Sequence, residues 1–564
     1  MLGGEIMETN SFVYWKNKGG YADTLGATGL AELIFQLTSK YPKIEDKHSH
    51  FLISTVAKVN LSELPYERLL QDPGFEAFED DKYNELKELA DQYWERKKNS
   101  KNLNEEEKLL LEQSKPREDW SLIVNLKVLQ ALKAYNLLHT QIREADKEKF
   151  TETIRLKLIG FAEGKLSAEI KVKTSLKVSP IQAFNPAIGK GINRPKPDSA
   201  TIASFPQSMM DWFEEYLRYL AVKSVMNAYL MEKDIKLIVI SAGKVTLDVI
   251  KNVTSDLRGR HIGKSSIKVD VISVLNLSVI LLNKLDVIKD NKINQIIHGI
   301  QTALFKNMGQ VKAIMNQSFI RLPGWFYIKN NDDAEDMKYI ILEHLNCLRW
   351  LDEKKSEEAS LLQIYRDGLS GDQVSKIVDF LANYGMHVMR KLNDKKNNII
   401  ARTSEESLRR LVMKSYPVYS DFINNVGFKN IAKAMRNATI NQQIAKAKGR
   451  QTYEIHYELF QKLKQNAVFP DKFLSYLLNF VNDYNKETAR RIEQKGENLE
   501  NKRALVSTHD IDDFVQLFDQ YRKQSETIAM LLIAYASSKT SRKDEQLEAS
   551  VQEASENEEI IIED

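Results

Sequence analysis

Two stretches of this chain gather cations without one carboxylate among them. Residues 170–197 carry Lys171, Lys173, Lys177, Lys190, Arg194 and Lys196, and residues 422–453 carry Lys429, Lys433, Arg436, Lys446, Lys448 and Arg450. Clustered ammonium and guanidinium groups are the chemistry of phosphate contact: they give charge-assisted hydrogen bonds and release the counterions that phosphates condense. One acid-free window of such length can arise by chance, but two are harder to explain that way. A solvated basic helix face has the same composition.

The elements that would position these groups differ. "FNPAIGKGINRPKPDSATIASFPQ", residues 184–207, holds four of the twelve prolines, and Pro180 just upstream makes five in 27 residues. Such backbone is neither helix nor central strand, and Gly189 and Gly191 let it bend, so an irregular, presented loop over 180–207 is expected. Lys190, Arg194 and Lys196 could hold phosphates there, with Asn193 placed to meet a base edge. A linker between domains would read the same way. In the second window, Lys429, Lys433 and Arg436 follow i, i+4, i+7 spacing, with Ile431, Ala434, Met435 and Ala438 on the other side. The spacing predicts a helix that packs one face and turns the other toward phosphate.

Signatures of catalysis are weak by comparison. "GRHIGKSS" at 259–266 resembles a phosphate-binding loop, yet Gly259 lies four residues before Gly263 where five are needed, and the segment reads as entering a strand. "YADTLGATGL" lacks the dinucleotide glycine pattern. His48 and His50 are the only close histidine pair and read as a solvated turn. In "THDIDDF", Ser507 or Thr508 followed by acids is what a helix start needs. No nucleophile elbow and no cysteine–histidine arrangement stands out, so the expectation is a binder without catalysis, metal or cofactor. The alternatives are a phosphate-handling enzyme built around Gly259–Ser265 and a helical scaffold or adaptor whose charge only solubilises.

Composition sets the frame. The 564 residues are 43% hydrophobic and 28% charged, ordinary for a globular chain of two to four domains. The N-terminus lacks an apolar signal core and the longest apolar run, Val271 to Leu282, is short and interrupted, so a cytoplasmic protein with no membrane partner is expected. A single cysteine, Cys347, permits no intrachain disulfide and is expected to be a buried helical thiol. The formal charge of +3 hides an asymmetry: residues 544–564 hold nine acids and no base, so the remainder carries 81 minus 69, or +12. A basic body with an acidic tail suits a polyanion partner for which the tail competes, and a solubilising disordered tail would look alike.

Along the chain the expected class is α+β. A region of residues 1–331 mixes helices with antiparallel strands, an all-helical bundle follows over 332–543, and an acidic disordered tail over 544–564. Strands are expected in "FLISTVAKVNL", in alternating "TIRLKLIGFAEGKLSAEIKVKTSLKVSP" (153–180), in "IKLIVISAG", in "SSIKVDVISVL" and in "SFIRLPGWFYIKN". "SMMDWFEEYLRYLAVKSVMNAYLMEK" reads as one helix, its stripe of Trp212, Tyr216 and Tyr219 belonging to the core. Five amphipathic segments beyond Asp332 read as the bundle.

The "GGYADTLGATGLAELIF" start, the "NPAIGKGINRPKPDS" loop and a basic helical C-terminal region together resemble the large subunit of a type I CRISPR Cascade complex, most like the type I-B variety of cyanobacteria. The likeness is architectural and spans the chain, while its local motifs are degenerate. It implies a non-catalytic subunit docked at the 5′ handle of the guide CRISPR RNA among other Cascade subunits. Such a subunit reads the PAM in double-stranded target DNA and contacts the displaced single strand through its helical domain; a helicase-nuclease or transposition proteins act downstream. That family has no invariant catalytic set to carry over, so the nucleic-acid-binding assignments of Lys190, Asn193, Arg194, Lys196, Lys429, Lys433, Arg436, Lys446, Lys448 and Arg450 rest on chemistry alone. In several Cascade types a small helical subunit is made from an internal start. Met413, separated by two codons from the Arg409–Arg410 pair, which AGG-AGG can encode, is the expected position here, with Met435 second.

Overall fold

The computed structural model describes residues 8–69, 80–98, 104–170, 176, 181–186, 211–260, 262–309, 312–393, 400–450, 452–495 and 503–540. Among the described residues there are two compact units, one within Met1–Leu281 and Ile293–Leu322, the other comprising Leu282–Lys292 and the described residues from Pro323 onward. Among the described residues no helix is long and apolar enough to cross a membrane.

The first unit is α+β. One antiparallel sheet has the order β1 (Glu8–Trp15), β3 (His50–Asn60), β2 (Lys43–Asp46), β6 (Lys244–Thr246). The other runs β4 (Met226–Met231), β5 (Asp234–Ala242), β7 (Ile297–Asn307), β8 (Lys312–Arg321), also antiparallel throughout. The Ala22–Thr38 helix, buried along almost its whole length, packs on the Trp212–Val225 helix. The approach is close enough that a Cβ on Gly29 would fall 1.7 Å from the Leu217 carbonyl oxygen, so only glycine fits. Asp23 fastens the start of the first helix by accepting from the backbone N–H groups of Asn17, Lys18 and Gly19, the last at 2.8 Å. Trp212, Tyr216 and Tyr219 are buried in this packing, with Tyr216 donating to the Leu69 carbonyl, as expected of a core stripe.

Three expected strand or helix assignments are corrected. Residues 147–162 form a helix, not strands, and Phe150, Ile154, Leu158 and Phe161 line its buried side at helical spacing. The alternation misled because Lys157, counted as wet, is itself buried and donates to Asp211 at 2.7 Å and the Ser167 carbonyl at 2.9 Å. Beyond it lies a 3₁₀ turn, Ser167–Glu169. Residues 266–282 are likewise a helix: buried nearly all round, it has no wet face to reveal its period, and Asn276 and Ser278 bond back to the carbonyls of Ile272 and Val274. The helix from Trp212 ends at Val225, and Met226–Met231 is a strand turned by Glu232 in the left-handed region.

The second unit is helical among its described residues. Helices at Asn331–Arg349, Ser356–Ser370, Val374–Asn393, Glu405–Ser415, Val426–Ala438, Ile440–Ala447, Leu459–Asn466, Pro470–Lys495, Thr508–Gln520 and Ser525–Ser537 form its body. Side chains of Asn330, Ser404 and Asn425 cap three of them, and Ser507 with Asp510 forms a reciprocal capping box, the role expected of that motif. Cys347 is buried in the first of these helices, where burial pushes its thiol up to about 12. At the centre the Val374–Asn393 and Ser525–Ser537 helices touch backbone to side chain: a Cβ on Gly385 would fall 2.4 Å from Ser537 Oγ.

Candidate nucleic-acid interface

The Val426–Ala438 helix forms because Asn425 accepts from the Phe428 N–H at 2.7 Å, and because Phe428, Ile431, Ala432 and Met435 supply a continuous apolar stripe. Gly427 lets its first turn abut the Asp510 carbonyl. On the outward side Lys433 is exposed and Lys429 half-buried. Arg436 departs from the expectation. It is 4% exposed, donates to the carbonyls of Ala536 at 3.0 Å and Tyr535 at 2.6 Å, and pairs with Glu405. Its guanidinium thus serves the C-terminal carbonyls of the Ser525–Ser537 helix and is buried out of reach of a phosphate from outside.

Lys446, Lys448 and Arg450 are exposed where the next helix ends; Gly449, in the left-handed region at φ 68°, turns the chain so that the Arg450 N–H returns to the Ala445 carbonyl at 2.9 Å. The loop beyond is rigidly held. Guanidinium groups of Arg503 and Arg491 lie 3.6 and 4.4 Å from the ring centre of Tyr453, and the His456 N–H donates to the Ala438 carbonyl at 3.0 Å. This places Tyr457, 47% exposed, with its hydroxyl accepting from Lys446 Nζ at 3.1 Å.

Tyr457 borders a surface groove of about 700 Å³ between the Val374–Asn393 and Leu459–Asn466 helices. Met386, Met389 and Phe460 give it an apolar floor; Arg390, Asn393, Gln461, Lys464 and Gln465 complete the lining, with no carboxylate among them. Lys464 Nζ donates to Asn383 Oδ1 at 2.8 Å, tying the two walls, and Arg390 pairs at 2.7 Å with Glu357, which is outside the lining. An exposed aromatic ring, amide donors and cations along an acid-free channel can take a nucleobase on the ring and phosphates beside it. Sequence reasoning missed the groove, since its residues come from helices some 70 positions apart. One signal was present: Tyr457 lies just past the end of the second acid-free window.

The other predicted residues, Lys190, Asn193, Arg194 and Lys196, lie outside the described residues, as do Lys171, Lys173 and Lys177. The two flanks of their segment are described. On one side Phe184 is buried and the Ala183 carbonyl accepts from Tyr21 at 2.8 Å; on the other Asp211 holds Lys157 and caps the Trp212–Val225 helix. Both flanks belong to the first unit, whereas a linker between the two units would have one flank in each. The "GRHIGKSS" stretch joins two helices, Leu247–Arg258 and Ser266–Leu282; the expected entry into a strand is corrected, and a Walker loop would instead leave a strand. No family model matches the chain, and no curated protein is similar to it.

Proposed function

We propose that the protein is the non-catalytic large subunit of a CRISPR RNA-guided DNA surveillance complex. In this reading it docks at the guide RNA 5′ handle beside other Cascade subunits, recognises the PAM in duplex DNA and steadies the displaced strand. The observation that carries the reading is the groove beside Tyr457, whose described lining holds Arg390 and Lys464 and no carboxylate, together with Lys446, which donates to the Tyr457 hydroxyl, and the exposed Lys448 and Arg450 that follow it. Sequence-independent backbone contact plus stacking is what a displaced strand requires, because guide pairing already supplies sequence specificity. The loop through Lys190, Asn193, Arg194 and Lys196 is assigned to duplex DNA or guide RNA at the PAM end.

The test is equilibrium binding of single-stranded and PAM-bearing duplex DNA across a salt series, with sequencing of any RNA that copurifies. Affinity should fall steeply with salt, and a set of RNAs sharing one 5′ handle should copurify. Salt-independent binding, or no bound nucleic acid, would instead favour a helical adaptor.

A further inference from the structure

The groove between the Val374–Asn393 and Leu459–Asn466 helices is apolar on its floor and cationic at its edge, with no carboxylate among its described lining residues. The chain carries one segment of opposite character. Residues 544–564 hold nine acids and no base, and place Leu547 and Val551 at i, i+4 among them. We infer that this acidic tail seats in the groove and competes there with nucleic acid.

Proximity favours the tail over an external acidic partner. The last described helix ends at Ser537, whose side chain lies against Gly385, and the next residue of that facing helix, Met386, already lines the groove. Met389 is only about 4.5 Å further along the same helix. From Lys539, whose N–H bonds the Thr403 carbonyl at 2.9 Å, five residues reach Asp544 and span up to roughly 17 Å when extended. The tail is therefore delivered to the groove at high effective concentration. Methionine floors adapt to differing apolar guests, so Met386 and Met389 suit Leu547 and Val551 as well as they suit a base. The carboxylates then meet Arg390, Lys464 and Lys446 in place of phosphates. Bound nucleic acid displaces the tail, and weak or non-specific strands fail to do so.

The competition rests on the reading of the groove as a nucleic-acid site; the docking itself does not. The experiment uses the full chain and a full-length variant whose nine tail acids are changed to their amides, with labelled oligothymidine and a labelled peptide of residues 544–564 as probes. The amide variant should bind oligothymidine about tenfold more tightly at low salt. The peptide should bind the amide variant, and Gln461→Glu with Gln465→Glu, which puts two acids into the lining at exposed positions, should abolish that binding. Equal oligothymidine affinity of the full chain and the amide variant would overturn the competition. A peptide that does not bind, or binds regardless of the two groove substitutions, would overturn the docking. Peptide docking without oligothymidine binding would leave the tail site standing and refute the nucleic-acid reading.

Discussion

Arg436 and Glu405 form an ion pair across 31 residues of sequence, with the guanidinium buried and also holding the carbonyls that end the Ser525–Ser537 helix. Removing it leaves those carbonyls without their donor and the partly buried Glu405 carboxylate without its cation, with the Tyr535 hydroxyl still donating to it. Arg436→Ala should therefore lower unfolding stability by about 3 kcal/mol, whereas Lys433→Ala, exposed on the same helix, should change it by no more than about 0.5 kcal/mol. Urea unfolding of both variants checks this, and equal midpoints would contradict it.

The exposed cations predict the opposite behaviour. Replacing Lys433, Lys446, Lys448 and Arg450 together by alanine should leave stability intact and flatten the salt dependence of single-strand binding by up to roughly 3 units. Unrelated strands should lose affinity alike, since backbone contacts carry no sequence. Tyr457→Ala should cost roughly 1–3 kcal/mol of single-strand affinity and Tyr457→Phe much less, because stacking needs the ring and not the hydroxyl. Losses confined to certain sequences would contradict backbone contact.

Removing charge at Lys190, Arg194 and Lys196 should weaken binding of PAM-bearing duplex without lowering the unfolding midpoint. The flanks carry the packing: Phe184 and Asp211 are anchored in the first unit whatever those side chains are. Unchanged duplex affinity across a salt series would remove the loop from the interface.

How far the sequence could be read depended on whether a residue's partner was local. The bundle was legible because most of its helices keep one wet face, and Ser507 was legible as a cap because Asp510 is three residues away. Arg436 was not, since periodicity within its own helix cannot show a demand made by carbonyls 99 and 100 residues later. The 266–282 helix hid its period by being wrapped on all sides; its 17-residue length, long for a strand, was the overlooked signal. The central strand β7 drew no reading, although its neighbour β5 did; of the strand expected over 318–330 only Ser318–Arg321 belongs to β8, and Leu322–Asn330 is not strand. Of the site, Lys446, Lys448 and Arg450 were visible, and the groove lined by Arg390, Tyr457 and Lys464 was not.

His344 makes unit-two stability depend on acid. It is fully buried against Tyr365, whose hydroxyl lies 3.0 Å from Nδ1, and burial pushes its imidazole down to about 3 from the ordinary 6.5. The folded state therefore refuses a proton that the unfolded chain accepts below 6.5. This contribution is present above that pH and is lost progressively as pH falls toward 3, at a slope of up to about 1.4 kcal/mol per pH unit. The double variant His344→Phe with Tyr365→Phe removes both hydrogen-bonding partners and should show a flatter decline across that window. Parallel stability curves for the two proteins would contradict the assignment.

The last prediction concerns a second product of the same gene. Met413 lies in the Glu405–Ser415 helix, four residues after Arg409 and three after Arg410. Both arginines have structural work: each bonds Glu406, holding its carboxyl down to about 2, and Arg410 also meets Asp336 at 3.0 Å. That accounts for the residues but leaves their codons open, and AGG-AGG at this distance would direct initiation at Met413. A product of residues 413–564 keeps Lys429, Lys433, Lys446, Lys448, Arg450 and Tyr457. It loses Glu405, the partner of Arg436, and the Val374–Asn393 helix that walls the groove and packs on Ser525–Ser537. Such a fragment buries its own core incompletely, so it should be found bound within an assembly and should unfold without cooperativity when isolated. Initiation at Met435 would cut the Val426–Ala438 helix and discard Asn425, its cap. Mass spectrometry of the complex purified from the unmodified gene should reveal a chain beginning at or near Met413, and silent recoding of Arg409 and Arg410 should abolish it. A complex with no C-terminal fragment, or a fragment unaffected by recoding, would refute the internal start.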